Sequence, residues 1–308
     1  MVSVRCHDRQ KEKMTNKMNP ALDDQWDYLR SNDFMETGEE VIRYSVRDLS
    51  MDIESITHVR TGHYASYKVE TNEGDFLVRV GIVSEDDNRE NDNSGYLGTS
   101  TFSPSGQSRE HMIAFLLSEA GASVADPSHY TKVEVSGWDA IYDTLWLPYL
   151  EADNTPLTAE QWRDVLVPLH NADLGELPVF TNREKTLARL DKLPDRGQAG
   201  YFLEEYDALL EKLFSVATKW SPVHGDAHCG NAFLYAGEPI LFDFDTVCWA
   251  PSVWDLTHLL YRVGTDRNTG YTAEELTAVF NFSAEETAAA LELRALASTI
   301  AREYSRTR

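Results

Sequence analysis

The chain of 308 residues carries 51 Asp plus Glu against 28 Lys plus Arg, a formal charge of -23, and 42% of its residues are apolar. This length and apolar share suit one large domain or two lobes with a sizeable core. The acidity speaks against nucleic acid or an anionic membrane as partner and leaves two uses, solubility or the attraction of a cationic ligand. Cys6, Cys229 and Cys248 are an odd set with no C-x-x-C spacing, which excludes a disulfide framework and a zinc knuckle and fits a reducing cytoplasm.

The first twenty residues, "MVSVRCHDRQKEKMTNKMNP", hold basic side chains but lack the apolar stretch of a secretory signal, and they are expected to be disordered. Nowhere does an apolar run reach the length needed to span a bilayer. "ESITHV", "SYKVET" and "DFLVRV" then alternate or cluster β-formers, the last two joined by "NEGD", whose residues suit a tight turn. They predict an antiparallel sheet of at least three strands. The loop "RTGHYAS" between the first two holds Gly62 and Ser66, and its backbone N–H groups suit either phosphates or an ordinary hairpin.

Residues 84–108 are polar, rich in Ser, Gly and Asn, and aperiodic, which predicts a mobile surface insertion. "REHMIAFLLSEAG" follows as a helix expected to pack on the sheet, ended by Gly121. "WDAIYDTLWLPYLE" reads as two strands, or one strand running into a connector near Pro148.

Beyond residue 150 the pattern turns helical. Thr158 with Gln161 forms a capping-box pattern ahead of Trp162, Val165, Leu166, Leu169 and His170 at helical spacing. The same box recurs at Thr181 with Glu184, Thr272 with Glu275, and Ser283 with Glu286. The expected organisation is therefore a terminal segment over 1–20, a β-rich lobe over 21–149 with its insertion, and a helical lobe over 150–308.

The densest polar stretch is "VHGDAHCGN", residues 223–231, followed by "PILFDFD" at 239–245 and "VWDLTHLL" at 253–260. His-Gly-Asp, four residues, Asn, then a further Asp and "WDL" resembles the catalytic segment of the aminoglycoside phosphotransferase and choline kinase family. The Asp-x4-Asn spacing is also that of the protein-kinase catalytic loop. The resemblance covers roughly residues 50–260. It implies an α+β, protein-kinase-like two-lobed fold, with one helix packed on the sheet of the first lobe, and the transfer of a phosphoryl group from ATP with Mg²⁺.

Phosphoryl transfer needs an acceptor hydroxyl held in line and the γ-phosphate charge neutralised, which explains these residue types. The resemblance makes Asp226 the group that takes or orients the hydroxyl proton, and Asn231 and Asp243 hard oxygen ligands for Mg²⁺. It makes Asp255 a brace through backbone hydrogen bonds. His224 and His228 are expected to brace the loop, and Asp245, two residues beyond Asp243 on the same strand face, either approaches the metals or caps the turn, the supporting role being preferred. Cys229 stands where the family commonly has proline. Arg79 in "FLVRV" takes the place of the strand cation that reaches the α/β-phosphates, with Glu110 as its carboxylate partner and Glu119 as the alternative. Gly62 and Ser66 would line the phosphates. "LWLPYLE" would face the adenine, with Trp146 and Tyr149 either beside it or in the core, and His170 is expected to be structural.

These residues predict a kinase of a small hydroxyl-bearing molecule. An amino sugar, aminoglycoside or other amine is the acceptor favoured by the acidic charge and by the resemblance, and a neutral sugar or other metabolite is the alternative. A binder that kept the fold and lost turnover is disfavoured by Asp226, Asn231 and Asp243 occurring together. A protein kinase is disfavoured by "HGD", by "DFD" and by the lack of an activation segment before "WDL".

Overall fold

The structure, a computed structural model, describes residues 3–5, 32–61, 65–83, 109–127, 131–137, 140–153, 155–263 and 269–307. Gly62 and the insertion at 84–108 lie outside them, as does most of the N-terminal segment. The chain divides into two compact units, one of Met1–Met112 with Asp126–Leu150, the other of Ile113–Ala125 with Glu151–Arg308.

The first unit is a six-stranded sheet. Its strands are β1 (Ser3–Arg5), β2 (Ile53–Thr61), β3 (Ala65–Thr71), β4 (Gly74–Val83), β5 (Thr131–Gly137) and β6 (Ala140–Pro148), in the order β1-β5-β6-β4-β3-β2. All neighbours are antiparallel except β1, which pairs in parallel with β5. The alternation read from the sequence recovers β2, β3 and β4, and the turn between β3 and β4 is a tight one at Asn72 and Glu73, with Thr71 opposite Gly74. Three features go beyond that reading. Ser3–Arg5, within the segment expected to be disordered, adds to the open edge of β5. "TKVEVSG" is a full strand, and of the two readings of "WDAIYDTLWLPYLE" the single strand running into a connector at Pro148 is the one found.

The third is helix α1 (Asn32–Ser45), whose Thr37, Val41, Ile42 and Ser45 form one buried stripe. It covers the sheet face carrying Tyr67, Val69, Val78, Val80, Val133, Val135 and Trp146, and these residues make the core of this unit. The helix α2 (Arg109–Glu119) has only its first turn here, because Ile113–Ala125 groups with the second unit. There Leu241 N donates to Ser123 O at 3.0 Å and Val124 bridges Leu241 in parallel.

The second unit is built on α3 (Ala159–Asn171), α4 (Asn182–Asp191), α5 (Arg196–Val216), α6 (Val253–Leu260), α7 (Ala273–Phe280) and α8 (Ala284–Arg306). Two small antiparallel pairs join them, β7 (Trp220–Val223) with β10 (Cys248–Pro251) and the hairpin of β8 (Ala232–Tyr235) with β9 (Glu238–Leu241). Its core packs Tyr206, Leu210 and Leu213 of α5 and Trp254 of α6 against Ala289, Ala290, Leu293, Ala297 and Ile300 of α8, where the small alanines admit close approach.

Capping boxes form at Thr158, Thr272 and Ser283. The fourth does not. Thr181 takes helical angles (φ -57, ψ -17) and makes no side-chain cap bond, because an N-cap needs extended backbone to turn its hydroxyl onto the first free N–H groups. Glu286 does more than close its box. Buried at 3% exposure, it also accepts from Thr218 N and Thr218 Oγ1, both at 2.7 Å, tying α8 to the chain that enters β7.

Candidate active site

The polar loop 223–231 runs from the end of β7 to the start of β8, and its floor is a single carboxylate. Asp255, in the first turn of α6 and fully buried, accepts from His224 N (2.8 Å), Gly225 N (2.9 Å) and His170 Nε2 (2.9 Å). Burial works to raise its carboxyl pKa, and the bonds from His170 and His224 more than offset that, leaving it below the ordinary value. His170 thus has a definite job as the third donor to this brace.

His224 is also fully buried. Its Nε2 donates to Phe242 O at 2.9 Å and its Nδ1 accepts, at 3.4 Å, from Asp226 N, so one tautomer serves both contacts. Thr246 Oγ1 donates to His224 O at 2.7 Å. Gly225 stands at φ 80, and a Cβ there would lie 2.5 Å from Thr246 O. The loop therefore requires glycine immediately before Asp226.

Asp226 itself points away from this floor, with 41% of its side chain exposed. His228 Nε2 lies 3.5 Å from one carboxylate oxygen, and the Nδ1 of that ring accepts from Gly230 N at 2.9 Å. His258 Nδ1 lies 3.1 Å from the other oxygen, out of line for a hydrogen bond, and neither of its ring nitrogens has a hydrogen-bond partner among the described residues. Enclosure by the surrounding walls works to raise the Asp226 pKa. The two imidazoles overcome it and hold the carboxyl well below the usual carboxylate range, so Asp226 is ionised. Burial, with the neighbouring Arg294 guanidinium, lowers His258 to about 4, so its ring is neutral at pH 7.

His258 escapes sequence reading because in "VWDLTHLL" it looks like one more interior position of an apolar helix. The only signal is its spacing. Three residues after Asp255, it shares that residue's face of α6.

Asn231, 3% exposed, donates from Nδ2 to Asp226 O at 3.0 Å, and its backbone O accepts from Phe242 N at 3.1 Å. These bonds bring Asn231 beside both Asp226 and the residue preceding Asp243. Asp243 is not in a strand. It follows β9 in the left-handed conformation (φ 70, ψ 62) and opens the short 3₁₀ turn Phe244–Thr246. The expectation that Asp243 and Asp245 share a strand face is therefore corrected, since two-residue alternation does not survive a left-handed residue and a 3₁₀ turn. With the Asn231 amide nitrogen engaged, its carboxamide oxygen and the Asp243 carboxylate are the hard oxygens this segment could offer to Mg²⁺, an ion that keeps several waters and needs few protein ligands.

In the first unit Arg79 Nη1 lies 2.5 Å from Glu110 Oε2, both side chains being 5% exposed, while Glu119 is exposed. Ser66, also buried, sits opposite Arg79 across β3 and β4. Trp146 is a core residue. It is wholly buried, packs edge-on to Phe76, and donates from Nε1 to Thr144 Oγ1 at 3.2 Å, so its indole is not available to an adenine. Tyr149 is half-buried with Lys68 Nζ 4.8 Å from its ring centre.

The sequence matches the phosphotransferase enzyme family over residues 55–292. The chain belongs to that family. Among solved structures it is similar to the choline kinase LicA from Streptococcus pneumoniae, with 15% identity, 88% of this chain and 92% of that one covered, and a TM-score of 0.58. It is also similar to the amicoumacin kinase hAmiN in complex with AMP-PNP and Ca²⁺ (14%, 82% and 81%, TM-score 0.56). A third is the spectinomycin phosphotransferase APH(9)-Ia in complex with ADP and spectinomycin (13%, 82% and 83%, TM-score 0.54). No curated protein matches the sequence. The protein-kinase-like fold, with an antiparallel sheet in its N-terminal part and helices in its C-terminal part, is that of this phosphotransferase family, whose members are kinases of small molecules. Among the described residues no helix is long and apolar enough to cross a membrane.

Proposed function

We propose that this phosphotransferase moves the γ-phosphate of ATP, as its Mg²⁺ complex, to a hydroxyl group of a small molecule, with Asp226 as the proton acceptor. The observation that carries the reading is a partly exposed carboxylate at Asp226, set on a loop whose floor is fully bonded and with Asn231 hydrogen-bonded beside it. In the reaction the acceptor oxygen bonds to the γ-phosphorus as the bond from that phosphorus to the bridging oxygen breaks. ADP departs with the bond's electron pair, and the hydroxyl proton passes to an Asp226 carboxylate oxygen.

Asn231 and Asp243 would hold the metal, which would supply neutralisation of the phosphate charge. Arg79, fixed by Glu110, supplies a cation for the phosphates, with Ser66 nearby on the facing strand; the fork of a guanidinium there replaces the point charge of a lysine. The nucleotides bound to the spectinomycin and amicoumacin enzymes support the choice of donor. A cytoplasmic location suits the need for ATP.

Asp226→Asn tests the reading. It keeps shape and removes proton acceptance, so turnover should fall about 10²- to 10⁴-fold while nucleotide affinity stays within a few-fold. Near-normal turnover sinks the assigned role. ATP binding without consumption by the wild-type protein, across a broad acceptor panel, would favour the non-catalytic alternative.

The favoured amine acceptor rests on net charge and on carboxylates beyond residue 150. Glu151, Asp153, Glu204, Glu205, Asp207, Glu274 and Glu275 are all absent from the wall of the pocket at Asp226.

A further inference from the structure

That pocket, of about 160 Å³, lies wholly within the second unit. Asp226 and His258 form one side, Asn182, Lys185 and Arg189 of α4 another, and Arg294 and Ser298 of α8 a third. Three cations and one carboxylate line it, in a chain where acidic residues outnumber basic ones 51 to 28. Local charge here is the reverse of the global charge, so solubility does not account for it.

Two of the cations lack the partners that buried guanidinium groups require. Among the described residues Arg189 and Arg294 form no ion pair within 4.0 Å, whereas Arg79, Arg163, Arg183, Arg196 and Arg306 each do. The Nε of Arg294 is buried without a hydrogen-bond acceptor, and its guanidinium sits 5.9 Å from the centre of the Tyr261 ring. Both arginines are only half-exposed and both feel the Asp226 charge at longer range. A desolvated guanidinium without a carboxylate is costly. Two of them converging on one pocket beside the proton acceptor are donors kept for something that arrives.

We infer that the acceptor carries an anionic group, a carboxylate or a phosphate, in addition to the hydroxyl presented to Asp226, and that Arg189 and Arg294 bind that group. The inference rests on the kinase reading for the role of Asp226. Paired guanidinium forks match the planar or tetrahedral oxygens of such anions. An amine acceptor would instead meet the like charges of Arg189 and Arg294, which cost affinity and slow encounter. The acceptor class is thus hydroxy acids, sugar acids and sugar phosphates.

The test measures binding and turnover separately. Calorimetric titration of the nucleotide-free protein with D-glycerate, D-gluconate, glycerol 3-phosphate, glucose 6-phosphate and inorganic phosphate should give binding that weakens with added salt. Glycerol, glucose, choline and kanamycin should give none. The carboxylates and the phosphates in the panel tell the two anion types apart. In an ADP-release assay the acceptor that turns over should be one of the anions. Arg189→Gln and Arg294→Gln should each raise its KM about ten- to a hundredfold, as expected for losing one charge-assisted contact. The KM for ATP should stay within about two-fold, and Arg294→Lys should recover part of the loss.

Phosphorylation of choline, kanamycin or glycerol with a KM insensitive to both arginine variants overturns the inference and leaves the kinase reading standing. So does an absence of binding by every anion. Arginine variants that lower kcat at an unchanged acceptor KM overturn it as well, by assigning the guanidinium groups to the transferred phosphoryl. Anion binding that depends on both arginines, with no ADP release from any acceptor, supports the inference while sinking the kinase reading.

Discussion

The floor and the mouth of the 223–231 loop are built from the same residue types on opposite terms. On the floor, Asp255 is fully buried and accepts from three donors, and His224 uses both ring nitrogens. At the mouth, Asp226 keeps two-fifths of its surface open, His258 has no hydrogen-bond partner among the described residues, and two arginines lack carboxylates. Polar groups that satisfy one another hold the chain in place. Those left wanting face the pocket, and that is where chemistry with an outside molecule is available.

The sharpest way to break this contrast is Asp255→Ala. It strands two backbone N–H groups and His170 in a dry interior, so stability should fall by about 3–5 kcal/mol in urea denaturation, whereas Asp226→Asn at the mouth should cost clearly less, because it strands no backbone group. Equal losses at both sites would show that the mouth is structural too. Gly225→Ala comes next. The left-handed φ and the contact with Thr246 O should cost about 2–3 kcal/mol, and turnover should drop with it because Asp226 is displaced.

The smallest effect is one of pH. His258 titrates at about 4 when folded and near 6.5 when unfolded. Above pH 6.5 both states hold the neutral ring and the contribution is intact. Between 6.5 and 4 only the unfolded chain takes up the proton, so stability falls as pH falls, by about 2 kcal/mol from pH 6.5 to 5. His258→Gln should flatten that slope when urea midpoints at pH 7 and pH 5 are compared. The lowered carboxyl groups of Asp226 and Asp255 act in the same direction but at lower pH. A slope unchanged in the variant would assign the acid loss to other groups.

Asp226 and Asp255 could be named from the sequence, whereas His258, Arg189 and Arg294 could not, for physical reasons. The Asp-x4-Asn spacing and "WDL" are local patterns tied to one loop and one helix turn, and the strands β2 to β4 announce themselves by alternation. Arg189 and Arg294 are far apart in sequence and meet only because α4 and α8 pack together. Thr181 with Glu184 has the same letters as the three boxes that form, yet the backbone at Thr181 is already helical, which the letters do not record. Helix α1 carried a readable stripe at Thr37, Val41, Ile42 and Ser45. Its polar residues and its distance from the strand pattern hid it.

Asp255 and His258 stand one turn apart on α6, and from that turn one reaches the loop backbone while the other reaches the Asp226 carboxylate. The helix therefore acts as a gauge block that sets the height of the loop and the surroundings of its reactive group in a single measurement. Adding one residue between positions 255 and 258 would swing His258 about 100° around the helix. The brace would hold, and Asp226 would lose one of the two imidazoles that lower its carboxyl pKa.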